Sequence, residues 1–318
     1  MAIGGTTLGA MFGAGEVAGF IGLPQVSLAD LGGARVVVRG APVCMPYPSV
    51  GDCCAGRSAA IRARGAAYAA NLAHVNFDLG GPVLPEGGRA MDAGDPAMTA
   101  ADGAAHRDRL RGAVGQALAA GAVPVLIGGD DCLPSPMLQA LQGHGPLTIV
   151  QIDAHIHRRD EVGSERWGLS STLRRVSEMA HVAQIIQVGQ RGIGSACPGD
   201  HQPALAAGVT FVPAREVATA GIDRALLMIA PGARVVICLN VHAPDPAVMP
   251  AVMGRTAGGL SYWQVFELIA GVAAMARIVA FDMVEFMPER DIDGQGALVA
   301  AQLLAGTIGN LARQEAAE

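Results

Sequence analysis

The sequence predicts a single three-layer α/β domain, residues 1–318, built around a central and mainly parallel sheet. Three observations carry this expectation. Short runs of β-branched and aliphatic residues recur along the chain, most end on Gly, Asp or Asn, and helix-length segments lie between them. Strands covered on both faces read as unbroken apolar runs, and their alternation with helices implies parallel pairing.

The elements follow in order. Residues 35–38 form the first run and precede Gly40-Ala41-Pro42; residues 123–127 precede Gly128-Gly129-Asp130. Residues 147–152 lead into Asp153-Ala154-His155, and residues 185–188 into Gly189. Residues 234–239 end at Asn240, and residues 277–281 at Asp282. Helices are expected over residues 106–120 and 262–276. The apolar stretch 297–311, broken by Gln302 and Asn310, reads as a buried terminal helix. No repeat, linker or domain boundary interrupts the series. In such sheets functional residues gather beyond the carboxyl ends of the strands, and the polar residues of this chain sit there.

Composition narrows the function. With 51% hydrophobic and 4% aromatic residues, the core is expected to consist of Ala, Val, Leu and Ile. The chain contains no lysine, so every cationic side chain of fixed charge is an arginine. A net charge of −6 without a basic cluster argues against nucleic acid as a partner. The cysteines Cys44, Cys53, Cys54, Cys132, Cys197 and Cys238 form no CxxC pair and read as reduced, mostly buried residues of a cytoplasmic protein. No apolar run reaches the roughly 18–20 residues of a membrane span, and the N-terminus lacks a basic leader.

Three post-strand segments combine residues able to bind a metal: Gly128-Gly129-Asp130-Asp131, Asp153-Ala154-His155-Ile156-His157 and Asn240-Val241-His242-Ala243-Pro244-Asp245-Pro246. Any one alone is weak, because Asp or His at a strand end is more often a cap or turn residue. Three on strands of one sheet point to a shared cluster. Extended residues i and i+2 face the same way, so Asp153, His155 and His157 can converge, as can Asn240 and His242.

At these residues the chain resembles the ureohydrolase (arginase/agmatinase) family, over nearly its whole length. Gly22-Leu23-Pro24, Gly40-Ala41-Pro42, the segment from Gly56-Arg57 to Ile61-Arg62, and Asp92-Ala93-Gly94-Asp95 match its structural elements in order. Gly258-Gly259-Leu260-Ser261-Tyr262 and Asp282-Met283-Val284-Glu285-Phe286-Met287-Pro288 match its later ones. The resemblance implies a sheet of about eight strands, and a pair of Mn²⁺ ions activating a hydroxide that attacks a guanidinium carbon. The family motifs GGDH, DAHxD and DxDxxDP would hold those ions.

The departures from these motifs decide what is expected of this chain. Asp131 stands where the family has His, His157 where it has Asp, and Asn240 and His242 where it has two aspartates. Leu169 falls at the family's substrate-side histidine. Bridging carboxylates neutralise a metal pair about 3.5–4 Å apart. The family set offers four carboxylates; the matching positions here offer Asp131 and Asp153, while Asn240 brings an uncharged amide.

The leading expectation is therefore a non-catalytic subunit with no cofactor of its own. It would pair with a homologous catalytic chain carrying two Ni or Mn ions, in a hetero-oligomer, trimer or hexamer, acting on a guanidino small molecule. That pairing is similar to the metformin (biguanide) hydrolases. The alternative is a stand-alone hydrolase of linear amidines using one divalent ion (Ni, Zn, Fe or Mn) held by Asp153, His155, His157 and His242, with Asp131 as a further ligand. A third reading has the cavity bind a guanidino ligand through Glu285, without turnover. Glu285 and Asp245 are the substrate-side candidates. Cys53-Cys54, Arg158-Arg159 and Arg174-Arg175 are expected to be ordinary loop, surface or contact residues, and Cys132 a small packing residue.

Overall fold

A computed structural model describes residues 18–42, 56–96 and 103–314. Within them lie eight strands: β1 (Val36–Gly40), β2 (Ala90–Asp92), β3 (Val123–Ile127), β4 (Leu147–Ile152), β5 (Val182–Val188), β6 (Thr210–Val212), β7 (Arg234–Asn240) and β8 (Arg277–Val284). They form one sheet in the order β2-β1-β3-β8-β7-β4-β5-β6, and every pairing is parallel.

Alternate residues of each strand serve opposite faces, as the pleat requires. Val235, Ile237 and Leu239 of β7 join a core with Val265, Leu268 and Leu304 from helices Tyr262–Met275 and Gln295–Arg313. Val236 and Cys238 join the opposite core with Leu110, Val114 and Met137, from helices Gly103–Ala119 and Pro134–Ala140. This is the three-layer arrangement expected from the apolar runs.

The structure corrects three details. Strands β2 and β6, three residues each at the two edges of the sheet, leave no apolar run long enough to stand out. Asp282 does not punctuate a strand; it lies inside β8, fully buried, in register with Leu126 and Cys238. Burial pushes its carboxyl up to about 8, so the strand carries it in the neutral form at lower pH. Cys132 and Cys238 are buried free thiols, whereas Cys197 is exposed; Cys44, Cys53 and Cys54 lie outside the described residues.

The early segments that carry the family resemblance meet in one hub. Buried Asp92 accepts hydrogen bonds from Phe20 N (2.7 Å), Gly94 N (2.8 Å) and Arg62 Nε and Nη2 (2.7 and 2.9 Å). Arg62 also pairs with Asp95, which accepts from Ser58 Oγ at 2.7 Å. A Cβ on Gly40 would fall 1.6 Å from Asp95 Oδ1, so glycine at β1's end is what lets the hub close. Among the described residues, no helix is long and apolar enough to cross a membrane.

Candidate active-site cavity

The four strands β3, β8, β7 and β4 are neighbours in mid-sheet, and their carboxyl ends bring Asp131, Asp153, His155, His157, Asn240, His242 and Glu285 to one region. After β3 the chain turns on Gly128 (φ 98°) and Gly129 (φ 73°), a left-handed pair that residues with a Cβ rarely adopt. Gly129 O accepts from Arg57 Nη1 at 2.8 Å and from Glu285 N at 3.0 Å, which ties the turn to β8. Asp130 Oδ1 accepts from Cys132 N (2.9 Å), and Asp131 N donates to Glu285 Oε1 (2.9 Å).

After β4, Asp153 accepts from His155 N at 3.1 Å and from Gln151 Nε2 at 3.3 Å. His157 adopts φ 46°, which turns the chain so that its ring faces β3. Its Nε2 lies 2.8 Å from Asp153 Oδ2, off the line of a hydrogen bond, and 3.6 Å from Asp131 Oδ2. Both carboxylate oxygens of fully buried Asp131 lack a hydrogen-bond partner.

The end of β7 behaves differently. Asn240 Oδ1 accepts from His242 N (2.9 Å) and sits 2.8 Å from His242 Nδ1, while His242 Nε2 accepts from Gly254 N at 3.2 Å. Both nitrogens of this imidazole are therefore used within the protein. Burial holds its pKa down at about 3, so it is neutral across the physiological range.

Electrostatics follow from crowding. Burial, reinforced by Asp153, Asp282, Glu285 and Asp130, pushes the Asp131 carboxyl well above the usual carboxylate range. Burial likewise raises Glu285, to about 7, with Asp130 adding to it. Burial acts in the same sense on Asp153, but the imidazoles of His157 and His155 outweigh it and hold that group well below the usual range.

Above these residues opens a cleft of about 240 Å³, lined by His155, His157, Leu169, His242, Met253 and Glu285 among others. Leu169 thus faces the cavity at the position where the resemblance implies a histidine. The donors fall into two sets, each with atoms within 4.8 Å of one another: Asp131, Asp153 and His157, and Asp153, His155 and His242. They are two overlapping groups rather than one convergent set of four.

The match to known proteins is decisive at this point. The sequence profile of the arginase family matches residues 34–309. The chain belongs to the arginase family. Chicken (Gallus gallus) mitochondrial agmatinase is 31% identical over 205 residues, covering 62% of this chain and 59% of that one. Guanidinopropionase of Pseudomonas aeruginosa is 29% identical over 225 residues, covering 68% and 69%. The proclavaminate amidino hydrolase structure from Streptomyces clavuligerus superposes with a TM-score of 0.79 at 24% identity, covering 95% of this chain and 99% of that one. The chain spans just under three fifths of the chicken agmatinase.

Other residues of this arginase-family chain resolve into structural work. Asp245 accepts from Ala247 N (3.0 Å), Gly258 N (2.7 Å) and Gly259 N (3.1 Å), so its carboxylate fastens the turn before helix Tyr262–Met275 and does not line the cleft. Arg158 donates to Leu173 O and Ser177 Oγ, and Arg174 and Arg175 pair with Glu178, leaving Arg159 as the member of these pairs that is exposed beside the cleft. Glu285 lines the cleft, and its Oε1 also accepts from the Asp131 backbone amide.

Arg191 escaped the sequence reading. Its guanidinium donates to the carbonyls of His242, Ala243, Pro244 and Thr256 at 2.8–3.1 Å and so fixes the β7 loop. Its signal was available: it lies two residues after Gly189, just past a strand end. The closure of Gly254 on His242 had no such signal.

Proposed function

We propose that this chain is a degenerate, non-catalytic subunit of a heteromeric ureohydrolase, whose homologous partner carries the dinuclear centre and hydrolyses a guanidine or biguanide compound. The observation that carries the reading is the closed Asn240–His242–Gly254 set, which occupies the place of two family carboxylates. A pair of divalent ions does not fit these residues. Asp131 and Asp153 balance two of its four positive charges, Asn240 adds none, and His242 has no free nitrogen to offer. The hub around Asp92, by contrast, is fully satisfied, as selection for assembly rather than chemistry would leave it.

The direct experiment is to express the chain alone and together with a homologue that keeps all three metal motifs, then assay urea release from guanidine and biguanide substrates. The expected result is a stable complex with activity, and no urea from this chain alone. Urea release by the isolated chain would defeat the proposal. It would favour the second reading, a stand-alone hydrolase of linear amidines, which draws its support from the unpartnered oxygens of buried Asp131 behind His157, a residue that lines the cleft.

A further inference from the structure

We infer that this chain retains one divalent-cation site, formed by Asp131, Asp153 and His157 and excluding His242. The inference rests on the family reading of the cavity but does not depend on the chain being inactive.

The geometry sets buried donor atoms against one another without hydrogen-bond partners. Asp131 is fully buried, and neither of its carboxylate oxygens finds a donor. An orphaned buried carboxylate is a cost that folding tolerates when something fills it. The group facing it is the Nε2 of His157, 3.6 Å from one oxygen and 2.8 Å from Asp153 Oδ2, aligned for a hydrogen bond with neither. Ligands about 2.1 Å from a shared tetrahedral ion stand about 3.4 Å apart, and these separations bracket that value.

Charge and composition agree. Two carboxylates balance one divalent ion, whereas they leave a pair half neutralised. Relative to the family motifs, Asp131 and His157 have exchanged residue types across the cleft, so this corner still offers one imidazole and two carboxylates. A reciprocal exchange preserves a donor set; unconstrained drift has no reason to match one change with the other. The second trio lacks this property, because His242 already spends both ring nitrogens on Asn240 and Gly254. Mixed imidazole and carboxylate donors suit Mn²⁺, Fe²⁺, Ni²⁺ or Zn²⁺.

The test is metal content after exhaustive dialysis against Mn²⁺, Ni²⁺ and Zn²⁺ in turn, read together with the rise in Tm that each ion produces. The full chain is expected to hold about one ion, Asp131→Asn and His157→Ala to bind at least about tenfold more weakly, and His242→Ala to bind as before. The exchange D131H/H157D keeps the donor set and is expected to keep the ion, which separates ligand loss from misfolding. Absence of any ion and of any Tm rise in the full chain would overturn the inference while leaving the subunit proposal standing. Equal loss of binding in His242→Ala and His157→Ala would overturn it as well. Two ions per chain would overturn both.

Discussion

Two buried charge clusters lie at the carboxyl ends of the same sheet, and they are built to opposite standards. At the hub, each oxygen of Asp92 receives two donors, and Arg62 bridges it to Asp95. Beneath the cavity floor, Asp131 receives no donor at either oxygen and has Asp130, Asp153, Asp282 and Glu285 for neighbours. The hub stabilises the fold by itself. The floor costs stability by itself, and the difference marks which cluster the fold needs and which one a ligand or a past chemistry explains.

The sharpest way to break this comparison is to cut the hub. Asp92→Ala leaves Arg62 buried without its main partner and is expected to cost about 3–5 kcal/mol in chemical denaturation. A cost below about 1 kcal/mol would mean the hub is ornamental. Asp131→Asn should do the reverse in metal-free protein. Removing an acid from a crowd of acids is expected to leave stability unchanged or to raise it by about 1–2 kcal/mol, by the same measurement. Marked destabilisation of the metal-free chain would show that the Asp131 carboxylate has a partner after all.

A smaller effect concerns pH. Asp282 is raised from 3.8 to about 8 in the folded chain, so the folded state binds more protons than the unfolded one between those values, and stability falls as pH rises through them. Below about 7, Glu285 adds to this slope and His242, lowered from 6.5 to about 3, opposes it. Between pH 7 and 8, Asp282 dominates these three, and the metal-free chain is expected to lose about 1 kcal/mol. Asp282→Asn should flatten that window. An unchanged slope in the variant would assign the titration elsewhere.

Much of this was legible in the sequence, for identifiable reasons. The inner strands were visible because burial on both faces removes polar residues from them. The edge strands β2 and β6 were not, since three residues make no pattern. Asp282 read as punctuation because an acid in mid-strand is rare, and only its burial shows how β8 accommodates it. The meeting of Asp131, Asp153, His155, His157, Asn240 and His242 followed from strand ends and the i, i+2 rule. The division of these residues into two sets did not. It depends on the φ of His157 and on the amide of Gly254 reaching back twelve residues to His242, contacts that no local pattern encodes.

The central claim is that this chain does not build the dinuclear centre of its family. Its most direct test is the metal content of the chain purified alone from nickel- and manganese-supplemented medium, measured beside urea release from a guanidine substrate. The account predicts no more than one ion per chain and no urea. Two ions per chain, with urea released, would contradict it.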